Sequence, residues 1–435
     1  MNNIFSFNIV KWSKLSLFEN NTFKYDIISF SIYFIIVVFG LINIYSSIYN
    51  ENLNSFWDLS YPIGKQVAFF LISLVLLFMI LFTRGKFLND NSFLFYNISI
   101  LLLIGLFFFG IKAGGAKSWY NLGFINFQPS EFVKITTSLF LAKYLSIIQT
   151  DISRNRDIFF ISLIIIVPIF LISIQPDLGS AIIFLAFIFP VFREGLNINF
   201  LYHLSIIIVA FFLTLTIGIY ITIFLVSIIY ALFILYESKK KRKIKFSKFM
   251  FTIILYFSII LSTNYVFENV LEQRHRDRID IIIGKDFDTK GIGYNINQSK
   301  IAIGSGGFSG IGFLKGTQTK GDFVPKQHTD YIFSTVGEEW GFIGSSFLIF
   351  LFSTLIIRII RRAEKQQIYH KRIFCNCFAS LLFIHFFINI GMSLGILPTI
   401  GIPLPFVSYG GSSLLSFSIM FFIYLNYDSS RLKES

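Results

Sequence analysis

Three residues at one polar step, His328, Thr329 and Asp330, stand immediately before a long apolar run that starts at Tyr331. A carboxylate in that place can act as a general base, taking the proton of an attacking hydroxyl. Ionisable groups at such depth are costly and mark substrate or ion sites. Two more carboxylates share the setting. Glu131 lies in Phe127-Gln128-Pro129-Ser130-Glu131-Phe132-Val133-Lys134, with Lys134 three residues on and so on the same helix face. Asp177 lies in Gln175-Pro176-Asp177-Leu178-Gly179-Ser180, which interrupts a long apolar stretch. All three sit at or near helix starts, and helix N-termini carry partial positive charge that suits anions. Arg274, Arg276, Arg278, Lys300, Lys315 and Lys320 fall in the segment that ends at Asp330. Together these groups could hold a pyrophosphate. The simpler reading makes Glu131 and Lys134 a satisfied ion pair and each carboxylate a cap for its own helix. It accounts for each carboxylate separately, but not for the basic residues that share their loops.

Other features carry less chemistry. The run Gly304-Ser305-Gly306-Gly307-Phe308-Ser309-Gly310-Ile311-Gly312 loosely matches a dinucleotide fingerprint, but no βαβ unit surrounds it. Tight backbone permitted by glycine is the better reading. Glu338 and Glu339 lie deeper in the helix that follows Asp330, and at least one must face the bundle interior. The proline- and glycine-rich loop Pro398–Ser413 folds back at the outer surface. There Ser408, Tyr409 and Gly410 either line a cavity or form a rigid connector. Cys375 and Cys377 read as small residues of an apolar helix, since no second ligand pair accompanies them.

The elements that must position these residues are membrane spans. Of 435 residues 54% are hydrophobic and only 14% charged, against about a quarter charged in soluble domains; the mean hydropathy is +0.70. Apolar runs long enough to span recur throughout, giving expected helices near 26–47, 62–83, 92–112, 129–148, 158–175, 177–192, 200–217, 220–236, 249–267, 331–358, 373–394 and 405–426. Arg84 and Lys86, Arg154 and Arg156, Arg193, and the group Arg361 to Arg372 fall in alternate loops, which become cytoplasmic if the N-terminus is inside. The same rule accounts for the net charge of +13 without nucleic acid as a partner. The stretch 204–236 must be two helices with a tight turn near Gly218, because one helix would place the basic loop 237–248 outside. Residues 268–330 then form a large outer loop carrying Asp330. Residues 1–25 read as a cytoplasmic tail without the order of a signal peptide, 26–426 as one membrane domain, and 427–435 as a second cytoplasmic tail.

Read together, these motifs make the chain resemble the RodA/FtsW/SpoVE family, the SEDS glycosyltransferases that polymerise peptidoglycan. The resemblance rests on Gly115–Glu131, Gln175–Gly179, Gln298–Gly307, His328–Asp330 and Gly401–Ser413. Lys315–Thr319 and Gly401–Pro405 resemble the RodA, elongation branch. It implies a GT-C-like, all-α bundle, usually with ten spans, so that about twelve here puts three helices in 200–267 where one is usual and leaves 218–248 without an assigned role. It also implies a reaction at the outer face of the bacterial cytoplasmic membrane. The 4-hydroxyl of lipid II, the undecaprenyl-pyrophosphate-linked disaccharide peptide, attacks a glycan on a lipid pyrophosphate to form a β-1,4 bond by inversion. The family's essential outer-loop aspartate falls on Asp330. Lys134, Lys300, Arg276 and Arg278 are the candidate cations for the pyrophosphate, with Glu131, Asp177, His328, Ser408, Tyr409 and Gly410 beside them. A divalent cation, Mg or Mn, is conceivable, though no ligand spacing singles out its site. The implied partners are a class B penicillin-binding protein and other elongation-complex membrane proteins. A lipid II flippase and a non-enzymatic cell-wall scaffold are the rival functions.

Overall fold

The fold is known from a computed structural model of the chain. It describes residues 25–434 apart from 50–56, 114, 122, 124–125, 148–151, 153, 240–245, 284–291 and 322. The expected tail over 1–24 and the core of the basic loop lie outside the described residues.

In a bilayer every backbone polar group must be satisfied within the protein, which restricts spanning segments to helices or closed barrels. The chain opens with α1 (Ile27–Ile48), α2 (Pro62–Phe82), the short α3 (Gly85–Asp90) and α4 (Ser92–Phe109). Strands β1 (Ile111–Ala113), β2 (Ala116–Asn121) and β3 (Asn126–Phe127) follow. They form a small antiparallel sheet, in which Ile111 pairs with Trp119 and Tyr120 with Phe127. The sheet is a minor element within the expected helical bundle. Residues 116–119 alternate in burial along the strand, a period-2 signal that the long apolar runs on either side obscure.

Next come α5 (Pro129–Leu145) and α6 (Asn155–Ile174). Then α7 (Leu178–Ile183), a 3₁₀ turn (Phe184–Phe187) and α8 (Ile188–Arg193) run on as one rod. After α9 (Ile198–Ile217), Gly218 turns the chain with φ +88 before α10 (Ile219–Lys239) and α11 (Phe246–Tyr265). That positive φ suits glycine and divides the 204–236 stretch where the charge pattern required. The outer segment holds α12 (Gln273–Ile283), α13 (Ile292–Ser305) and α14 (Thr317–Lys320). The chain ends with α15 (Ile332–Ala363), α16 (Tyr369–Ser393) and α17 (Gly411–Glu434).

A helix therefore occupies each of the twelve expected positions. Seven of the described helices, α1, α2, α4, α6, α9, α15 and α16, are by themselves long and apolar enough to cross a membrane. The protein is a polytopic helical membrane protein. Two ends differ from expectation. α17 begins at Gly411, not at 405, because Pro403, Pro405 and Phe406, with φ +66, hold the preceding backbone out of helix. It continues through the expected tail, burying Tyr427 and Asp428.

One large core joins α1, α2, α4 to α8 and α15 to α17, with α17 laid against α2 and α16 against α15 and α5. A separate cluster of Ile206, Ala210, Val226, Tyr230, Tyr256 and Ile260 unites α9, α10 and α11, so these three helices pack chiefly on one another. At one end of the bundle, Asp26 caps α1 through Ser29 and accepts from Arg358 at 2.6 Å and Arg362 at 2.8 Å. Arg362 also reaches Asp428 at 2.6 Å. Arg358 and Arg362 thus clasp α1, α15 and α17 together, Arg362 being one of the basic group singled out in the sequence.

Candidate active site

The opposite end is organised around a break in α15. Gly341 has φ 62 and ψ −156, a conformation confined in practice to glycine. It divides the helix into 332–340, which follows the Asp330 loop, and a longer rod. A break inside a membrane helix frees backbone groups that neighbouring segments must satisfy, and the glycine-rich run does so. Phe342 N donates to Gly307 O at 3.0 Å and Ile343 N to Phe308 O at 3.2 Å, while Glu338 O and Glu339 O accept from Ile311 N at 3.0 Å and Gly312 N at 3.1 Å. Gly306 and Gly310 lie so close to the Gly337–Trp340 backbone that side chains there would collide with it. The run is tight backbone, as its composition suggested.

Both glutamates of α15 are buried, and both are engaged. Glu338 accepts from Gln318 N at 2.7 Å and Thr319 N at 2.9 Å at the start of α14. Glu339 accepts from Ser46 Oγ and from Leu314 N.

Asp330 sits in a tight loop whose turn is closed by Thr329 N donating to Lys326 O at 3.0 Å. Its main chain is held from several sides. Asn389 Nδ2 donates to Asp330 O at 2.9 Å and to Ile402 O at 2.8 Å. Ser408 Oγ donates to Thr329 O at 2.6 Å and accepts from Leu404 N at 2.8 Å. Tyr409 N donates to His328 O at 2.8 Å, and the His328 and Tyr409 rings lie 5.7 Å apart. Gln66 of α2 completes the clamp, donating to Ser408 O at 3.2 Å and accepting from Gly410 N at 3.1 Å. The loop 398–410 is therefore a rigid connector, which Ser408 serves through its hydroxyl and Tyr409 and Gly410 through backbone bonds. The Asp330 carboxylate itself is treated differently. Its side chain is 19% exposed and its nearest cation, Lys326 Nζ, is 4.0 Å away. Burial pushes its carboxyl above the ordinary range, opposed by Lys326, Arg278 and the Thr329 hydroxyl. It does not cap α15, where Tyr331 is the N-cap without a side-chain bond.

A second charged centre lies at the starts of α5 and α7. Lys134 Nζ donates to Glu131 Oε1 at 2.8 Å and lies 3.0 Å from His385 Nε2. Ser416 Oγ donates to Glu131 Oε2 at 2.9 Å. Asp177 caps α7, accepting from Ser180 N at 3.1 Å, and also accepts from Gln128 Nε2 at 3.4 Å. Burial raises its carboxyl, with the nearby Glu131 charge adding to the shift. Capping thus describes Asp177 but neither Glu131 nor Asp330.

Among the expected cations, Arg278 faces Asp330. Arg276 instead donates to Glu268 O at 2.8 Å, tying α12 to the end of α11. Lys300 lies against Gly395, beside the connector. Sequence reasoning missed Lys326, His385, Asn389 and Gln66. The last three carry a readable signal, polar side chains inside apolar helices, overshadowed by the carboxylates. Among the described residues no three His, Cys, Asp or Glu side chains converge. The charged neighbours of Asp330 are cations, so its surroundings do not fit a resident divalent ion.

Comparison with known proteins follows this geometry. The family model FTSW_RODA_SPOVE, described as cell cycle protein, matches residues 27–242 and 220–433. The chain is 34% identical over 325 residues to the peptidoglycan glycosyltransferase MrdB of Escherichia coli (strain K12), covering 74% of this chain and 73% of that protein. It is 31% identical over 401 residues to the peptidoglycan glycosyltransferase RodA of Treponema pallidum, covering 86% and 90%. Among solved structures, a chain of a peptidoglycan synthase complex that coordinates polymerization and crosslinking superposes with a TM-score of 0.67 at 25% identity, covering 94% of this chain and 98% of that one. The rod shape determining protein RodA of Thermus thermophilus shares the fold, with a TM-score of 0.59 at 23% identity, covering 94% and 97%.

Proposed function

Because this chain belongs to the FTSW_RODA_SPOVE family of cell cycle proteins, we propose that it is a peptidoglycan glycosyltransferase in which Asp330 is the general base. The substrate is lipid II, and the product a β-1,4 glycan strand for cell-wall elongation. The sugar 4-hydroxyl attacks the anomeric carbon of the growing glycan. The new C–O bond forms as the bond to the lipid pyrophosphate breaks, with inversion, and the hydroxyl proton passes to the Asp330 carboxylate.

One observation carries the assignment. Asp26, Glu131, Asp177, Glu338 and Glu339 are each engaged by protein donors. Asp330 keeps an exposed edge, has Thr329 as its hydrogen-bonding neighbour, and lies 4.0 Å from its nearest cation. A carboxyl raised by burial is a stronger base when ionised. Arg278 and Lys326 supply positive charge beside Asp330, which favours the ionised carboxylate that takes the proton. Glu131, Lys134 and Asp177 form the second charged centre, at the starts of α5 and α7.

The charge pattern of the loops supports a bacterial cytoplasmic membrane location, with both termini inside and Asp330 at the outer face. Likeness to a chain from a polymerization and crosslinking complex supports a transpeptidase partner, a class B penicillin-binding protein. The test is polymer formation from lipid II by purified protein in detergent, where nothing needs to cross a membrane. Asp330→Asn is expected to abolish polymer while the protein stays folded. Near-parental polymer from Asp330→Asn would sink the base assignment, and its absence from the parent protein would favour a flippase or scaffold.

A further inference from the structure

Helix α16 places His385 and Asn389 four residues apart, hence one above the other on one face. Both are buried, 2% and 0% exposed, and both reach the same stretch of the connector. His385 Nδ1 lies 3.3 Å from Pro403 O, and Asn389 Nδ2 donates to Ile402 O at 2.8 Å. Their second contacts diverge. His385 Nε2 is 3.0 Å from Lys134 Nζ, whereas Asn389 Nδ2 donates to Asp330 O at 2.9 Å. Lys134 is paired with Glu131 at 2.8 Å and, as an ammonium, can only donate. His385 Nε2 must then accept, which leaves the ring proton on Nδ1, facing the Pro403 carbonyl. The imidazole is a neutral link of fixed tautomer between the ion pair and the connector.

We propose that His385 and Asn389 are positioning residues that hang the Glu131–Lys134 pair and the Asp330 main chain from one rigid loop, and so fix the spacing of the two charged centres for glycan transfer. The proposal rests on the glycosyltransferase reading above. Neither side chain touches the sugar. Each acts through the group it holds, and the pair share a helix face, so the two centres cannot drift independently. Displacement of a reacting group by about 1 Å lowers turnover by roughly 100-fold while leaving ground-state binding largely intact.

The test measures polymerisation kinetics on lipid II for purified full-length variants. His385→Phe and Asn389→Leu keep volume but remove the polar links. Each is expected to lower kcat by roughly 10- to 100-fold with KM within about threefold. His385→Gln offers one acceptor and one donor, as the imidazole does, and is expected to recover most of the turnover. The inference is overturned if kcat stays within about twofold of the parent, if KM rises in step with the loss, or if His385→Gln is no better than His385→Phe. Should His385→Phe not fold, His385→Met fills the site flexibly without a donor and is read the same way. Failure of both to fold while His385→Gln folds normally assigns His385 a purely structural role and also overturns the inference. An inactive parent sinks the enzyme reading instead, and an active Asp330→Asn sinks the base assignment. An active parent with inactive Asp330→Asn but parental His385 and Asn389 variants sinks only this one.

Discussion

Replacing Gly341 with alanine tests whether the break in α15 supports the Asp330 loop. At φ 62 and ψ −156 an alanine bears roughly 1–3 kcal/mol of backbone strain. Its Cβ would also run into Gly310 N and lie 2.9 Å from Ser309 C and 3.0 Å from Gly306 O. The protein has two ways out. It can bear the strain together with a contact that real Cβ atoms do not make, or it can part the glycine run from α15. Parting sacrifices the bonds from Phe342, Ile343, Ile311 and Gly312, at about 1 kcal/mol each. Either route costs about 3–4 kcal/mol, and every 1.4 kcal/mol is about tenfold in an equilibrium. Local opening around 306–312 and 337–343 should rise by more than roughly 100-fold. Hydrogen exchange on detergent-purified protein reads this directly, since protection reports the opening free energy. Gly304→Ala is the internal control. It lies in α13 with no heavy atom within 4 Å of an added Cβ, and should stabilise by about 0.5–1 kcal/mol. Exchange in Gly341→Ala within about threefold of the parent would refute the argument, as would polymerisation at the parental rate.

Further expectations concern charge. Asp330→Asn should yield folded, membrane-inserted protein without polymer, as set out above. The raised carboxyl of Asp330 predicts that activity falls on acidification with a midpoint above the ordinary aspartate value of about 3.9; a pH–rate profile with its acid limb at or below that value would count against it. Asp26→Asn should destabilise the opposite end of the bundle, toward the low end of about 3–5 kcal/mol, because Arg358 and Arg362 keep 26% and 25% of their side-chain surface exposed. Burial would raise the Asp26 carboxyl, but bonds from Arg358 and Ser29 and the Arg362 charge outweigh it and hold it low. Its stabilising effect is therefore fully present above about pH 4 and fades as pH falls through the lower native value. The difference between parent and Asp26→Asn in thermal unfolding should accordingly narrow at acid pH; a constant difference would refute the clasp.

Much of this molecule is legible in its sequence, because membrane insertion imposes simple rules. Apolar run length located the helices, since a bilayer leaves the backbone no other partner. Alternating basic loops divided 204–236 at Gly218, and the turn lies there with φ +88. Those rules also singled out Asp330, Glu131 and Asp177, because charge near lipid is costly enough to be conspicuous. What they do not determine is which groups meet. Lys134 and His385 are 251 residues apart and touch at 3.0 Å. Asn389 reaches Asp330 across 59 residues, and a break at Gly341 is stable only because a distant glycine run supplies its hydrogen bonds. Residue type and spacing report the cost of placing a group at a given depth, a local property. Partnership depends on how helix faces pack, and that is decided by the tertiary structure, which engages Glu131, Asp177, Glu338 and Glu339 with protein donors and leaves Asp330 an exposed edge.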